Sequence, residues 1–299
     1  MCPASNNTPA SASRPVEVHG HRGCRGLMPE NSLPAFLHAL DLGVDMLEMD
    51  VVITGDGQPI VSHEPWFNPE ICTPPNGQRV EPPGPGNNLF ELPYAAIRAW
   101  DCGTRQHPRF PGQQPQPVAK PLLADVVEQT FLHARQNGGS EVRFNIELKS
   151  QPDWDGIFHP EPNRFAALVV EVLDQYAIRG VTLLQSFDYR ILRSLRQLAP
   201  DVALSVLVDH HEPPDAVLER LTFQPEVYSP RHDLVDSGVM GFVRECGMKL
   251  AAWTANQRDE FARLVDLGVD AIITDFPDQL IDFITTHPNA EKGMAHPKG

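Results

Sequence analysis

Basic residues are scarce in this chain. Its 299 residues hold 24 Lys and Arg against 39 Asp and Glu, a formal charge of −15. A duplex nucleic-acid binder needs basic surface to displace counterions, so no nucleic-acid partner is expected. An acidic protein that handles a phosphorylated ligand needs local positive charge, and a bound cation supplies it most economically. Long apolar runs are missing too. None reaches the roughly eighteen residues of a membrane helix, and the opening MCPASNNTPASASRP lacks the apolar centre of a secretory signal. As written, the chain reads as cytoplasmic by default. Cys2 before Ser, Thr, Ala and Pro also fits the remnant of a lipidated start, which would place it at the cell envelope or in the periplasm. The five cysteines (Cys2, Cys24, Cys72, Cys102, Cys246) are scattered without a CxxC pair. Neither a zinc site nor a disulfide framework is expected, and an odd number cannot all pair within one chain.

What the chain does hold is core material, with 41% hydrophobic residues, and a regular alternation of patterns. Short β-branched runs at Val16–Gly20, Met46–Ile53, Val142–Lys149, Val181–Phe187, Val202–Asp209, Glu226–Ser229, Lys249–Thr254 and Ala271–Asp275 read as strands. Between them lie amphipathic stretches at Ser32–Leu42, Leu122–Gln136, Arg164–Tyr176, Tyr189–Leu198, Asp215–Leu221, Val239–Cys246, Asp259–Leu267 and Pro277–Thr286. In DEFARLVDLG the apolar positions Phe261, Leu264, Val265 and Leu267 fall at near-helical spacing, and Gly268 stops the helix. Such alternation predicts an α/β fold, a (β/α)8 TIM barrel over residues 16–287, with a doubly wound open sheet as the competing arrangement. Residues 1–15 and 288–299 are expected to be a flexible leader and tail. The rhythm breaks at about 64–117, which holds twelve of the thirty prolines. That density excludes long regular elements, so the segment reads as a Pro-rich insertion over one barrel face with a short helix at Tyr94–Trp100. The alternative is a disordered loop, against which Trp66, Phe67, Phe90 and Trp100 argue.

In a barrel of this type chemistry sits where strands end. The first strand ends in His21-Arg22. In MLEMDVVI, alternation puts Glu48 and Asp50 on one face; two neighbouring carboxylates on an apolar strand are costly to bury without a cation or proton. His63 follows in PIVSH, and VRFNIELKS aims Asn145, Glu147 and Lys149 the same way. Glu48, Asp50 and Glu147 form an all-oxygen set suited to Mg2+ or Ca2+. A solvated strand edge for Glu48 and Asp50, and a surface ion pair for Glu147 with Lys149, are the structural alternatives.

Eight short motifs occur in order: HGHRG, PENS, EMDV, the His of VSHE, IELK, QSF, WTAN and IITDFP. Together, from about Val18 to Pro277, they make the chain resemble the glycerophosphodiester phosphodiesterase family. The resemblance implies a (β/α)8 barrel that hydrolyses glycerophosphodiesters to an alcohol and glycerol 3-phosphate with one divalent cation. It implies His21 and His63 as the acid/base pair, Glu48, Asp50 and Glu147 as metal ligands, Arg22 and Lys149 as phosphate contacts, and Trp253 beside the glycerol group. One position departs from the family pattern. Asp usually follows the second histidine, and here Glu64 does, which bears on how His63 is oriented.

The residue types suit that chemistry. A cation on a non-bridging oxygen lowers the repulsion met by a nucleophile, Arg and Lys hold the remaining oxygens, and histidines move protons near neutral pH. The resemblance implies the substrate's glycerol 2-hydroxyl as nucleophile; direct attack by water stays open. Competing readings are a phospholipase D-like or phosphatidylinositol-lyase activity on lipids, and a catalytically silent binding or scaffold protein. Among the remaining polar residues, His19 has no assigned role, and His210 and His211 are weak candidates for a second metal. His232 is a candidate for the mouth, Asn31 for fixing the first loop, and Glu30 for approaching the metal or Arg22. Cys24 is a candidate reactive thiol, although the chemistry does not require one.

Overall fold

The computed structural model describes residues 16–78, 81, 86–139 and 141–286. The expected leader and tail lie outside the described residues. Nine strands and nine α-helices are described: β1 (Glu17–Gly20), α1 (Leu33–Leu42), β2 (Met46–Ile53), β3 (Pro59–Val61), α2 (Tyr94–Ile97), α3 (Leu123–Gln136), β4 (Phe144–Leu148), α4 (Pro162–Gln175), β5 (Thr182–Ser186), α5 (Tyr189–Leu198), β6 (Ala203–Val208), α6 (Pro214–Leu221), β7 (Val227–Pro230), α7 (Ser237–Glu245), β8 (Lys249–Ala252), α8 (Arg258–Leu267), β9 (Ala271–Thr274) and α9 (Pro277–Thr286). The eight strands other than β3 pair in parallel with one another, and β1 pairs with both β2 and β9, closing an eight-stranded (β/α)8 barrel. The open-sheet alternative is thereby overturned. All eight residues of β2 are buried, as expected of a strand with barrel interior on one face and helices on the other.

Helix ends follow local chemistry. Ser32 accepts from the Ala35 N–H at the start of α1, Asp188 from Arg190 at the start of α5, and Asp236 from Val239 at the start of α7. At α8, Glu260 reaches back to the Gln257 N–H at 3.0 Å. The eight barrel strands match their sequence-predicted positions to within two residues at each end. β3 is an addition: the Pro59–Val61 run turns back antiparallel to β2, with Val51 opposite Val61, through a turn at Gly57 (φ 78°). This hairpin carries Ser62 and His63 back to the barrel, where the Ser62 N–H donates to the Asp50 carbonyl at 2.9 Å.

The Pro-rich segment contributes to a second apolar cluster, in which Phe67, Ile71, Leu89 and Ile97 pack on Val52 and Ile60. Phe67 and Trp100 stack with ring centroids 3.7 Å apart. The expectation of no disulfide is corrected here, because Cys72 and Cys102 are bonded, 30 residues apart. The cause is local pairing that the spacing does not reveal. Thr73 and Asp101 exchange backbone hydrogen bonds at 2.7 and 3.1 Å, which sets the adjacent cysteines side by side. Cys24 is a buried free thiol, pushed up to about 12 by burial, which argues against a reactive role. By loop closure the disulfide is worth about 3–4 kcal/mol. Denaturant unfolding is therefore expected to show wild-type protein losing about that much stability under reductant, while a Cys72→Ser/Cys102→Ser variant is already weakened and insensitive to reductant.

Candidate active site

The site is built at the carboxyl ends of the strands. β1 stops at Gly20, where a side chain would meet the Gly23 carbonyl oxygen at 2.1 Å, and Gly23 (φ 85°) lies against the backbone of Ala35. Glycine at both positions lets the chain fold tightly over the barrel mouth. Within that loop Arg22 takes a left-handed conformation (φ 51°), which aims its backbone N–H at Glu48 Oε2, 2.9 Å away.

His21 emerges from this turn. Its Nδ1 donates to Asp275 Oδ1 at 2.6 Å, and its Nε2 lies 4.0 Å from Glu48 Oε2. Burial pushes the imidazole down to about 4; Asp275 opposes this and Arg25 adds to it. Asp275 is itself clamped from three sides. Arg25 forks onto it at 2.9 and 3.0 Å, and Asn256 Nδ2 donates at 2.8 Å. Burial alone would raise the Asp275 carboxyl, but His21 and Arg25 outweigh it and hold the group well below the carboxylate range. His21 is thus a neutral imidazole at pH 7, with Nδ1 tied down and Nε2 toward the site.

Asp50 and Glu147 are direct register partners across β2 and β4, and Glu48 sits two residues before Asp50 on the same strand. One oxygen from each of Glu48, Asp50 and Glu147 lies within 4.8 Å of the others. Burial and the Asp50 charge raise the Glu48 carboxyl well above its ordinary range. Glu147 is also raised, by burial and partly offset by Lys149. Burial would raise Asp50 as well, but Arg22, His63 and Lys149 overcome it and hold that carboxyl far down. Three buried carboxylates that cannot all carry charge unaided are a fit for a hard divalent cation. Their supports are in place: Gln185 Nε2 donates to Glu48 at 3.1 Å, Asn31 Nδ2 to Asp50 at 2.8 Å and Lys149 Nζ to Glu147 at 2.6 Å.

His63 Nδ1 donates to Glu64 Oε1 at 3.0 Å, so the longer side chain at the position of family departure still holds the ring. Arg22 pairs with Glu30 at 2.8 Å and with Asp50 at 3.1 Å. Trp253 fixes its indole N–H on the Ser229 carbonyl at 2.8 Å and meets the edge of Phe187, centroids 5.5 Å apart. His21, Arg22, Glu48, His63, Glu147, Lys149 and Trp253 line one cavity of about 370 Å3; Asp50 lies behind it.

Other sequence candidates lie elsewhere. His19 faces a separate cavity of about 450 Å3 lined by the starts of the strands, including Glu17, Met46 and Lys249, and contacts Glu17 at 3.4 Å and Asn145 at 3.3 Å. That end of a barrel is not where strand-end chemistry gathers. His210 is exposed and pairs with Asp209 at 2.6 Å. His232 is not among the residues lining the 370 Å3 cavity and faces Glu260 at 3.8 Å. Glu30 goes to Arg22. Residues with no role in the sequence reading are Asp275, Arg25, Asn256, Gln185 and Phe187. Asp275, Asn256, Gln185 and Phe187 sat inside IITDFP, WTAN and QSF, so a signal was present, but their partners come from distant strands.

A family model described as the glycerophosphoryl diester phosphodiesterase family matches residues 21–279. A glycerophosphodiester phosphodiesterase of Caldanaerobacter subterraneus subsp. tengcongensis is 26% identical over 271 residues, 89% of this chain and 97% of the relative. A solved protein of Silicibacter pomeroyi is 28% identical with a TM-score of 0.80, covering 90% of this chain and 93% of that one. A phosphodiesterase of Oleispira antarctica, solved with the product sn-glycerol-3-phosphate, shares the fold at 23% identity, with a TM-score of 0.72 and coverage of 90% and 97%. With a closed barrel, an acid trio at its mouth and a family match over most of its length, this chain is an enzyme of the glycerophosphoryl diester phosphodiesterase family.

Proposed function

We propose that this enzyme hydrolyses glycerophosphodiesters to glycerol 3-phosphate and an alcohol, with His21 and His63 as acid/base pair and a divalent cation held by Glu48, Asp50 and Glu147. The observation that carries the reading is a neutral, Asp275-clamped His21 beside a buried carboxylate trio. The named relatives, and the glycerol 3-phosphate in the Oleispira structure, support it. A divalent cation held by Glu48, Asp50 and Glu147 would supply charge neutralisation for the phosphate.

The side chains do the rest. His21, neutral with Nε2 free, takes the proton of the nucleophile, whether the glycerol 2-hydroxyl or water. His63, on the β3 hairpin, returns a proton to the leaving oxygen. Lys149 and Arg22 lend positive charge to the phosphate while paired with Glu147 and Glu30. Trp253 and Phe187 form an apolar wall for the glycerol carbons.

The test is release of glycerol 3-phosphate from glycerophosphocholine and glycerophosphoethanolamine by protein loaded with Mg2+ or Ca2+. Intact, metal-loaded protein that releases none sinks the proposal; activity confined to phospholipid vesicles would favour the lipid reading. For the cation, Glu147→Gln is expected to weaken affinity by about ten-fold or more, since affinity follows ligand charge count. Wild-type protein should melt at a higher temperature with the cation present, and the variant should gain much less. Calorimetry showing equal affinities would remove Glu147 from the ligand set.

A further inference from the structure

The segment 107–114, from the Pro-rich stretch, is bolted to the first barrel loop. His107 is buried with Nε2 3.5 Å from Glu30. Phe110 lies beneath the Arg25 guanidinium at 4.9 Å and against Phe276 at 6.0 Å. Gln113 Nε2 donates to the carbonyls of Arg25 and Met28 at 2.7 and 2.8 Å, and the Gln114 N–H to that of Leu27 at 2.8 Å. Between these anchors the Arg109 N–H donates to His107 Nδ1 at 3.1 Å, and the Arg109 side chain lines the 370 Å3 cavity. Its guanidinium rests 5.8 Å from the Phe110 ring.

Charge distinguishes this arginine. The other Arg and Lys side chains lining the cavity are committed, Arg22 to Glu30, Arg25 to Asp275 and Lys149 to Glu147. Among the described residues, Arg109 has no carboxylate within ion-pair range. A cation beside its own counter-charge projects little net field, whereas an unpaired one keeps its attraction for an anion within about a Debye length. An anionic substrate entering a cavity that also carries Glu48, Glu64 and Glu147, on a protein of formal charge −15, needs such a group to draw it in. Arg109 offers a planar fork for anionic oxygens, and its anchored segment lowers the ordering cost of binding.

We propose that Arg109 is a substrate-binding residue that contacts an anionic oxygen of the phosphodiester substrate, placed over the mouth by the 107–114 segment. The inference rests on the phosphodiesterase reading. The oxygen belongs either to the phosphate itself or to a carboxylate on the leaving alcohol, and two substrates tell these apart.

The test compares wild type with Arg109→Ala, Arg109→Lys and Arg109→Glu, all cation-loaded. Binding of sn-glycerol 3-phosphate is measured by calorimetry, and KM and kcat with glycerophosphocholine and glycerophosphoserine. For a phosphate contact, Arg109→Ala is expected to weaken glycerol 3-phosphate binding and raise both KM values about ten-fold, with kcat within about two-fold. Lys should recover part of the loss, Glu should deepen it, and the salt dependence of kcat/KM should flatten in the Ala variant. A rise confined to glycerophosphoserine assigns the contact to the head-group carboxylate. Unchanged affinity and unchanged KM for both diesters, in a variant with wild-type circular dichroism, overturns the inference while leaving the phosphodiesterase reading intact. Wild-type protein that binds no glycerol 3-phosphate and cleaves neither diester overturns both.

Discussion

Turnover by His21→Ala is expected to fall about 10²–10⁴-fold below wild type. Burial holds the His21 imidazole neutral, and with Nδ1 tied to Asp275 only Nε2 is left to accept a proton. Its depressed pKa places the acid limb of the kcat/KM profile near pH 4, below the ordinary histidine value of about 6.5. Stability moves in the same direction. On acidification the unfolded chain takes up this proton first, so wild-type protein should lose stability as pH falls from 6.5 toward 4, by up to about 3 kcal/mol. The alanine variant should lack that component, so its stability should vary less across the same window. His63→Ala should cost a similar factor in turnover, with little change in stability, because the His63 side chain is 32% exposed and is held by the neighbouring Glu64. Near-wild-type turnover by either variant would remove that histidine from the mechanism.

Asp275→Asn is expected to lower kcat by a comparable factor while keeping the side chain's shape. The carboxylate accepts from His21 and Arg25 together. Oδ1 serves His21 and Arg25 Nε, and Oδ2 serves Arg25 and Asn256. An amide nitrogen at the Oδ2 position would face two donors, from Arg25 and Asn256, whereas at the Oδ1 position it opposes Arg25 Nε alone, because His21 can switch tautomer. The second orientation is therefore favoured: Nδ1 becomes an acceptor and the proton moves to Nε2, so the ring loses its basic nitrogen where it is needed. Arg25, buried and left with only the longer contact to Glu30 at 3.8 Å, adds a stability loss of about 3 kcal/mol. Kinetics measured well below the variant's melting temperature separate the tautomer effect from unfolding. If the asparagine enzyme turns over at wild-type rate there, Asp275 does not position His21.

How far the sequence carried depended on how local each signal was. Alternation along one strand was enough to aim Glu48 with Asp50, and Glu147 with Lys149, because side-chain direction in a strand is a period-two property. Strand and helix order implied the barrel by the same local logic, although closure itself rests on β1 meeting β9. Asp275 was visible as a residue in IITDFP, but its partner His21 lies 254 positions away, and no spacing rule spans that. Arg109 and the Cys72–Cys102 bond were illegible for a related reason. They sit in a Pro-rich stretch without periodicity, where position is set by single contacts such as Gln113 on the Arg25 carbonyl or Thr73 against Asp101. The Pro59–Val61 hairpin strand is three residues long, too short for alternation to reveal its pairing, although His63, which it delivers, stands out in PIVSH.

Closure of β9 against β1 also sets a clock on synthesis. His21 leaves the ribosome among the early residues of the barrel, and its anchor Asp275 follows at the end of the last strand. A nascent chain halted before β9 can carry both histidines and the whole carboxylate trio, yet it lacks the group that holds His21 in its working tautomer. Under the proposed mechanism, catalytic competence arrives in a single late step, so partial translation products should be inert toward glycerophosphodiesters however well their early strands have paired.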